Sequence, residues 1–398
     1  MTKENANWLP RHYKGAAAVG TLLVSLLLST PGHAGVFDSL AEWFDENMID
    51  EQDGKVDVSD YLAGASGFLP VPIIITEPAV GFGAGAAVAY FHPAKEIDEN
   101  AHPHQGPPSI TVGFAAGTDN GTTLYGAAHS GVWKNDHVRY LGAIAQADVN
   151  LRFYPDAGPQ NAADDGIRFN VDGTFLYQQI QFRLKESNWW LGSNYLFINA
   201  KNTFDIGEEP GDDLPGPLDD FNQGGLSVFV EYDGRNTTFT PTKGLKGIVE
   251  LRNYHQRWGS DFDYDHIAGS IHHFTPFGEY SSLGVRIDAE AVDGDVPFFG
   301  YPYVNLRGIP ALRYQGEEVF TAELEYLWGI TPRWTIALFA GGGKTTSVGV
   351  FGSDGEAVAA GGAGFRYRIA RKLGLQVGMD VARGPEETAV YLTVGSAW

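Results

Sequence analysis

The sequence has no cysteine and only 3 methionines, and past its first thirty or so positions it offers no run of about 20 consecutive apolar residues. Without cysteine, a disulfide-stapled secreted domain is excluded. Without a later apolar run, no transmembrane helix is expected beyond the N-terminus. Positive charge is also scarce: 27 Lys and Arg stand against 49 Asp and Glu, and the net charge of -22 repels phosphate and disfavours a nucleic-acid partner. With 43% hydrophobic residues the chain is too apolar for wholesale disorder. What abounds is glycine, 51 residues, and aromatics at 13%, with charged residues at only 19%. That balance suits strands and tight turns better than helices.

Residues 1–34 read as an export signal. Arg11 and Lys14 supply positive charge, Ala16 to Leu28 form a short apolar run, and the small residues Gly32 and Ala34 place cleavage before Gly35. A single N-terminal anchor helix is the alternative. Removal of the leader leaves 24 basic and 48 acidic residues, so the exported chain is strongly acidic.

From Phe68 onward the chain alternates with a period of two. Leu283, Val285, Ile287, Ala289 and Ala291 share one parity while Arg286, Asp288 and Glu290 share the other. Phe320, Ala322, Leu324, Tyr326 and Trp328 oppose Thr321, Glu323 and Glu325 in the same way, as do Leu141, Ala143, Ala145, Ala147, Val149, Leu151 and Phe153 against Gln146, Asp148, Asn150 and Arg152. Strands of a soluble sandwich average about 5 or 6 residues, and these runs extend to roughly 9 to 15. Fully charged parities fit a wet lumen better than contact with a second sheet. The apolar parity is therefore expected against hydrocarbon, and Trp189, Trp190, Trp258, Trp328, Trp334, Tyr391 and Trp398, near strand ends, are expected in interface girdles.

Sixteen strands are expected, at 68–77, 80–92, 109–117, 121–132, 138–153, 166–184, 189–201, 224–233, 244–257, 262–275, 280–293, 318–330, 333–344, 358–371, 374–383 and 388–398. The fold class is thus all-β: a sixteen-stranded antiparallel transmembrane β-barrel over 68–398, with a short N-terminal periplasmic extension over 35–67 that plugs the lumen or tethers the barrel. An even strand number keeps both ends on one side of the membrane. Long connections at 154–165, 202–223, 294–317 and 345–357 fall outside the cell, with 93–108 as a long periplasmic exception. The first strand is the weakest, because Pro70 and Pro72 cannot donate ladder hydrogen bonds and belong at an edge or seam.

Three segments taken in order resemble the BamA/TamA-type outer-membrane assembly-factor family, also called bacterial surface antigens. VEYDGRNTTFTPTKG carries Asp233, Arg235, Asn236, Pro241 and Gly244, similar to that family's turn motif. VNLRGIPALRYQGE places Leu306, Arg307, Gly308 and Ile309 where the family has an inward-folded loop tetrad, and five strands follow it, as in the family. The resemblance implies that Arg307 enters the barrel and pairs with Glu325, with Glu323 as neighbour. A guanidinium in a lumen needs a carboxylate, and a bidentate pair would pin the loop. Two departures stand out: the family's further acidic partner on the next strand is replaced by glycine near Gly341, and Ile309 is not aromatic. The POTRA modules of protein-inserting members, roughly 75 residues each, do not fit in 35–67. The C-terminal run VYLTVGSAW, with Val390, Leu392, Val394 and Trp398, looks like a terminal-strand signal read by the outer-membrane assembly machinery, which makes the chain a client of that machinery.

Other patterns carry less. IDEQDGKVDVSD resembles a calcium loop with Glu51, Asp53, Gly54, Asp57 and Asp60 in place, but its first ligand position holds Ile49, so a solvated acidic turn is the simpler reading. FAGGGKTT lacks the first glycine of a phosphate loop and sits at a strand end. The acidic loop with Asp205, Glu208, Glu209, Asp212, Asp213, Asp219 and Asp220 could bridge divalent cations to lipopolysaccharide, or simply keep an outer loop soluble. Ser270 with His266, His272 and His273 would make a hydrolytic site only if they share a face with an orienting carboxylate. The expectation is a non-enzymatic outer-membrane barrel of a Gram-negative bacterium with no cofactor or metal. Its partners would be membrane lipid, lipopolysaccharide and the assembly machinery. By the resemblance it would assist insertion or translocation of protein or lipid clients; a passive or loop-gated pore, a structural or surface-interaction barrel, and a minor hydrolase reading are the alternatives.

Overall fold

The computed structural model describes residues 48–50, 52–59, 67–77, 79–92, 109–153, 167–204, 220–346, 355–372 and 374–398. The export signal, most of 35–67, the 93–108 connection and Asp205 to Asp219 of the acidic loop lie outside these residues. The chain divides into Met1–Lys55 and Val56–Trp398. In the first unit, Asp50 and Asp53 accept from the backbone N–H of Gln52 and Lys55 at 2.8 and 3.1 Å, which folds an acidic turn on itself.

The second unit is one antiparallel sheet. Its strands are β1 (Gly67–Ile75), β2 (Gly83–Phe91), β3 (Ile110–Thr118), β4 (Thr123–Trp133), β5 (Val138–Phe153), β6 (Ile167–Arg183), β7 (Trp189–Phe204) and β8 (Phe221–Asp233). They continue as β9 (Gly244–Tyr254), β10 (Tyr264–Phe277), β11 (Ser281–Gly294), β12 (Glu318–Gly329), β13 (Trp334–Thr345), β14 (Ala357–Ala370), β15 (Leu375–Arg383) and β16 (Thr388–Val394). Each pairs with its sequence neighbours, β1 through β16, in a nearly closed barrel. Connections at 134–137, 184–188, 278–280, 330–333 and 371–374 make one end short-turned. The 295–317 connection belongs to the other, long-loop end.

The β1–β16 edge is different. Among the described residues one hydrogen bond crosses it, from the Leu392 N–H to Thr76 Oγ1 at 3.2 Å. Pro70 and Pro72 pair opposite Val88 and Ala86 of β2 and leave β1 with a depleted set of donors. β16 stops at Val394 because Gly395 turns left-handed at φ 85°, and the tail folds inward instead of continuing the strand. The barrel is also uneven in height: β5, β6 and β7 run to 16, 17 and 16 residues, β1, β15 and β16 to only 9, 9 and 7.

Outward faces are apolar. Val228, Val249, Leu251, Ile271, Leu324 and Leu338 lie on outward parities and are 47% to 56% exposed. In water such a surface would cost about 25 cal/mol per Å²; hydrocarbon removes that cost, so this is the exterior of a membrane-spanning barrel. Trp133, Trp189, Trp328 and Trp334 form an outward aromatic girdle at the short-turn end. The other expected girdle residues do not join it: Trp190 is buried in the lumen, Tyr391 faces inward beside Asp380, Trp258 sits in the short 3-10 turn after β9 with its Nε1 donating to Asn253 Oδ1, and Trp398 stacks inside on Phe274 at 5.4 Å and His272 at 5.3 Å.

One stretch inverts the expected polarity. On β5 from Leu141 upward, and in the long-loop half of β6, the small and apolar parity faces inward, with Ala147 and Phe169 buried, while Gln146, Asp172 and Thr174 form an exterior hydrogen-bonded ladder. A membrane strand needs about 9 to 11 residues, so these two strands rise past the bilayer. There water covers the outside and a loop covers the inside.

The lumen itself has two characters. From β8 to β15 its wall is charged, with Glu231, Glu250, Arg286, Glu323, Arg366 and Asp380 on inward parities. From β1 to β5 the inward parity is apolar, and cross-strand rows such as Leu69, Ala89, Val112, Ala128 and Ala143 contain no charge.

Candidate functional site

The 295–317 connection dives into the barrel as a hairpin, held by Val304 N–H to Tyr314 O at 2.9 Å and Gly316 N–H to Pro302 O at 3.1 Å. Its apolar side chains fix it laterally. Val304, Leu306, Ile309 and Tyr314 bury against Val319 and Val358, and Phe298 and Leu312 bury against Phe169 of β6. The glycines of β13 make room. A Cβ on Gly341 would stand 2.7 Å from the Ala322 carbonyl oxygen of β12 and 2.8 Å from Leu306 Cδ2, and one on Gly343 would collide with Val304. The glycine at 341 is therefore the clearance the loop needs, and the further carboxylate comes from elsewhere.

Arg307 sits at the tip. Its Nε and Nη2 donate to Glu323 Oε1 at 2.9 and 2.7 Å, and Nη1 donates to Glu325 Oε2 at 2.7 Å and to Asp380 Oδ2 at 2.8 Å. The guanidinium lies 3.6 Å from the ring centroid of Phe339, adding a cation–π contact. Arg366 of β14 bridges Asp380 at 2.5 Å and Glu325 at 3.5 Å, and Arg286 of β11 pairs with Asp288 at 2.8 Å and bonds the Asn305 carbonyl. Gly308, left-handed at φ 91°, donates its N–H to Tyr391 Oη at 2.9 Å, and a Cβ there would meet Gly384 N at 3.0 Å. The loop tip thus touches six strands, β11 to β16. Sequence reasoning singled out Arg307, Glu323 and Glu325; Asp380, Arg366, Phe339 and Tyr391 were missed, although Gln376, Gly378, Asp380 and Ala382 form an inward parity that could have flagged Asp380.

A buried network of this kind is bonded enough to offset its own desolvation, but it tolerates no missing member. Deleting one partner of a buried pair costs about 3–5 kcal/mol, because the remaining charge is stranded.

The turn motif stands at the short-turn end. Arg235 grips Asp233 in a fork, with Nε to Oδ1 and Nη2 to Oδ2 both at 2.9 Å, and Asn236 Oδ1 accepts the Thr242 and Lys243 N–H groups at 3.1 and 3.2 Å. The loop then folds under the barrel, burying Thr240 and Pro241, and β9 starts at Gly244. Phe239 O accepts the Ser396 N–H at 2.7 Å, and the gap enclosed by Thr240, Pro241, Phe274, Glu325, Arg366 and Ser396 measures about 10 Å³, room for one water. Val390, Leu392 and Val394 face outward on β16. Trp398 does not share that face.

The segment Val56 to Ser59 is fastened to the same end. Asp57 accepts from Arg333 Nη1 at 2.5 Å and from the Arg371 N–H at 3.1 Å, Val58 donates to Ile369 O at 2.7 Å, and Tyr367 Oη donates to Val56 O at 2.7 Å. Burial pushes the Asp57 carboxyl up, but the hydrogen bonds from Ser59, Arg333 and Arg371 outweigh it and hold the group below the usual carboxylate range. Asp57 thus serves as a latch to Arg333; Glu51 and Asp60 of the calcium reading lie outside the described residues.

Ser270, His272 and Asp288 do share the lumen face, but in the wrong order. Ser270 Oγ donates to Asp288 Oδ1 at 2.6 Å and meets His272 Nε2 at 2.9 Å, leaving His272 4.0 Å from Asp288. A triad needs histidine in the middle. His273 faces outward beside Thr275, and the FAGGGKTT run is the strand β13.

The fold of this membrane barrel, with an ion-paired loop inserted into its lumen, can be matched. The chain is similar to the crystal structure of BamA from Haemophilus ducreyi lacking POTRA domains 1-3, at 13% identity and a TM-score of 0.53, over 83% of this chain and 69% of that one. It is also similar to CdiB from Acinetobacter baumannii, at 9% identity and a TM-score of 0.53, over 82% of this chain and 59% of that one. These likenesses establish the fold as that of BamA-like outer-membrane barrels. No family model matches the sequence, and no curated protein does.

Proposed function

We propose that this barrel resides in the outer membrane of a Gram-negative bacterium, short turns toward the periplasm, and assists the insertion or translocation of protein or lipid clients at its β1–β16 edge. The observation that supports this most is the edge itself: among the described residues one hydrogen bond to a side chain crosses it, whereas every other neighbouring strand pair is joined by a ladder. An unpaired strand edge is a template for another strand. The charged half of the lumen is obstructed by the Arg307 loop above and by Pro241 and the C-terminal tail below, which favours work at the edge over conduction through that half.

Since the chain contains no cysteine, a Thr76→Cys/Leu392→Cys pair can staple the edge without background. Reconstituted in liposomes, the reduced double variant should accelerate folding of a client outer-membrane barrel, read as a heat-sensitive gel shift, and the oxidised form should lose that effect. Equal activity when stapled would refute a role for edge opening.

A further inference from the structure

Among the described residues, the apolar half of the lumen is only partly covered. The Arg307 hairpin covers the charged wall and the upper reach of β5 and β6, burying Val304 to 1% and Leu306 to 4% exposure, whereas inward-facing Val71 and Leu141 remain 39% and 38% exposed. Val112, Phe114, Leu124 and Val132, on the same inward parity of β3 and β4, are also only partly covered. A lumen wall facing water alone would be polar, as β8 to β15 are; this one is greasy on both faces. Along β4, from Ser130 opposite Leu141 to the partly covered Leu124, it extends six residues, about 20 Å at roughly 3.3 Å per residue.

At its short-turn end the wall meets a cationic group. Arg139 and Arg183 stand over the buried Trp190 ring at 4.2 and 4.4 Å. Both guanidinium groups share one carboxylate, Asp136: Arg139 bonds it through Nε at 2.5 Å and Nη2 at 2.7 Å, and Arg183 through Nη2. The cluster therefore carries one positive charge more than its own carboxylate cancels. Arg139 Nη1 has no hydrogen-bond partner among the described residues, and its side chain is 24% exposed. In register, Val132 pairs with Arg139 and Ser130 with Leu141, so this charge lies one row below the start of the apolar wall.

We infer that the β1–β5 half of the lumen binds a long-chain fatty acid, its tail along Val112, Phe114 and Leu141 and its carboxylate on Arg139. An apolar trough about 20 Å long, capped at one end by two guanidinium groups that share a single carboxylate, matches a single-chain anionic amphiphile in both length and charge. A two-chain phospholipid would present a bulkier head at the same point and is an outcome that the test separates. The assignment does not depend on whether the β1–β16 edge opens.

Photo-crosslinking tests it on the intact barrel in lipid nanodiscs, with palmitate bearing a diazirine in the tail. Labels should map to the inward residues Val112 and Phe114 and be displaced by plain palmitate. Native mass spectrometry should show one palmitate per barrel, and Arg139→Gln should weaken palmitate about tenfold while leaving hexadecanol unchanged. Arg139→Lys should restore most of the preference, and an unaltered heat-sensitive gel shift would certify folding of each variant. Labelling confined to outward residues such as Tyr125, no carboxylate-over-alcohol preference in the wild type, or a co-isolated phospholipid that palmitate cannot displace would each overturn the assignment.

Discussion

Replacing Arg307 with alanine should unlock the hairpin without dissolving the barrel. The wild-type cluster sets Arg286, Arg307 and Arg366 against Asp288, Glu323, Glu325 and Asp380, and Glu323, Glu325 and Asp380 are no more than 5% exposed. Removing Arg307 takes away four charge-assisted hydrogen bonds and the Phe339 contact at once. Two cations are left against four anions, and Glu323 keeps only Arg286 at 3.7 Å. The expected cost is about 3–5 kcal/mol of loop docking, or roughly two to nearly four decades in the ratio of docked to undocked loop at 1.4 kcal/mol per decade. The sixteen-strand ladder does not pass through Arg307, so gel mobility of the unheated protein should stay that of a closed barrel. In planar bilayers the variant should conduct more than the wild type, by an amount limited by Pro241 and the C-terminal tail, which still obstruct the short-turn end. Restoring charge balance in Arg307→Ala/Glu323→Gln should recover part of the docking, since fewer stranded carboxylates remain. Indistinguishable conductance in wild type and Arg307→Ala, with both folded, would refute the idea that this cluster holds the loop.

Other consequences can be checked separately. Gly341→Val should mimic the arginine loss by pushing on Leu306, raising conductance while Arg307 and its partners are intact. Because the Asp57 carboxyl is held below its ordinary value of 3.8, its latch contributes fully above about pH 4 and is lost as pH falls further; Asp57→Asn should release it at every pH and strand the buried Arg333. Hydrogen exchange at the Val58 and Lys372 amides should quicken in both cases, and unchanged protection would refute the latch. Trp398→Ala should empty the space over Phe274 and Gly284, costing about 1–2 kcal/mol for a half-buried indole. The midpoint of heat-induced mobility change should drop by several degrees.

Strand alternation made most of the barrel legible, because a period of two survives wherever one face meets lipid and the other meets polar lumen. β11 and β12 read true residue by residue, with Arg286, Glu323 and Glu325 inward and Ile287 and Leu324 outward. The pattern misleads where its premise fails. β5 and β6 rise above the membrane, so Ala147 turns inward and Gln146 outward; β1 to β4 are apolar on both faces, and no alternation can say which is inside. Trp190 and Trp398 are aromatic and near strand ends, yet parity and the Gly395 turn send them into the lumen. At the loop cluster, Arg307 with its two β12 carboxylates could be anticipated from a short motif, since Glu323 and Glu325 are close in sequence. Asp380 lies 73 residues from Arg307, and only the closure of the sheet brings β15 beside the hairpin.

The unequal strand lengths have a mechanical consequence for the surrounding lipid. Seven residues of β16 span about 23 Å along their own axis, and strand tilt shortens the vertical reach further, against roughly 30 Å of hydrocarbon. Lipids abutting β1 and β16 must compress to cover that low rim, whereas those beside β5 to β7 meet a wall taller than themselves. The strain of mismatch is therefore gathered at one point of the circumference, and acyl chains there are already thinned and disordered before any newcomer arrives.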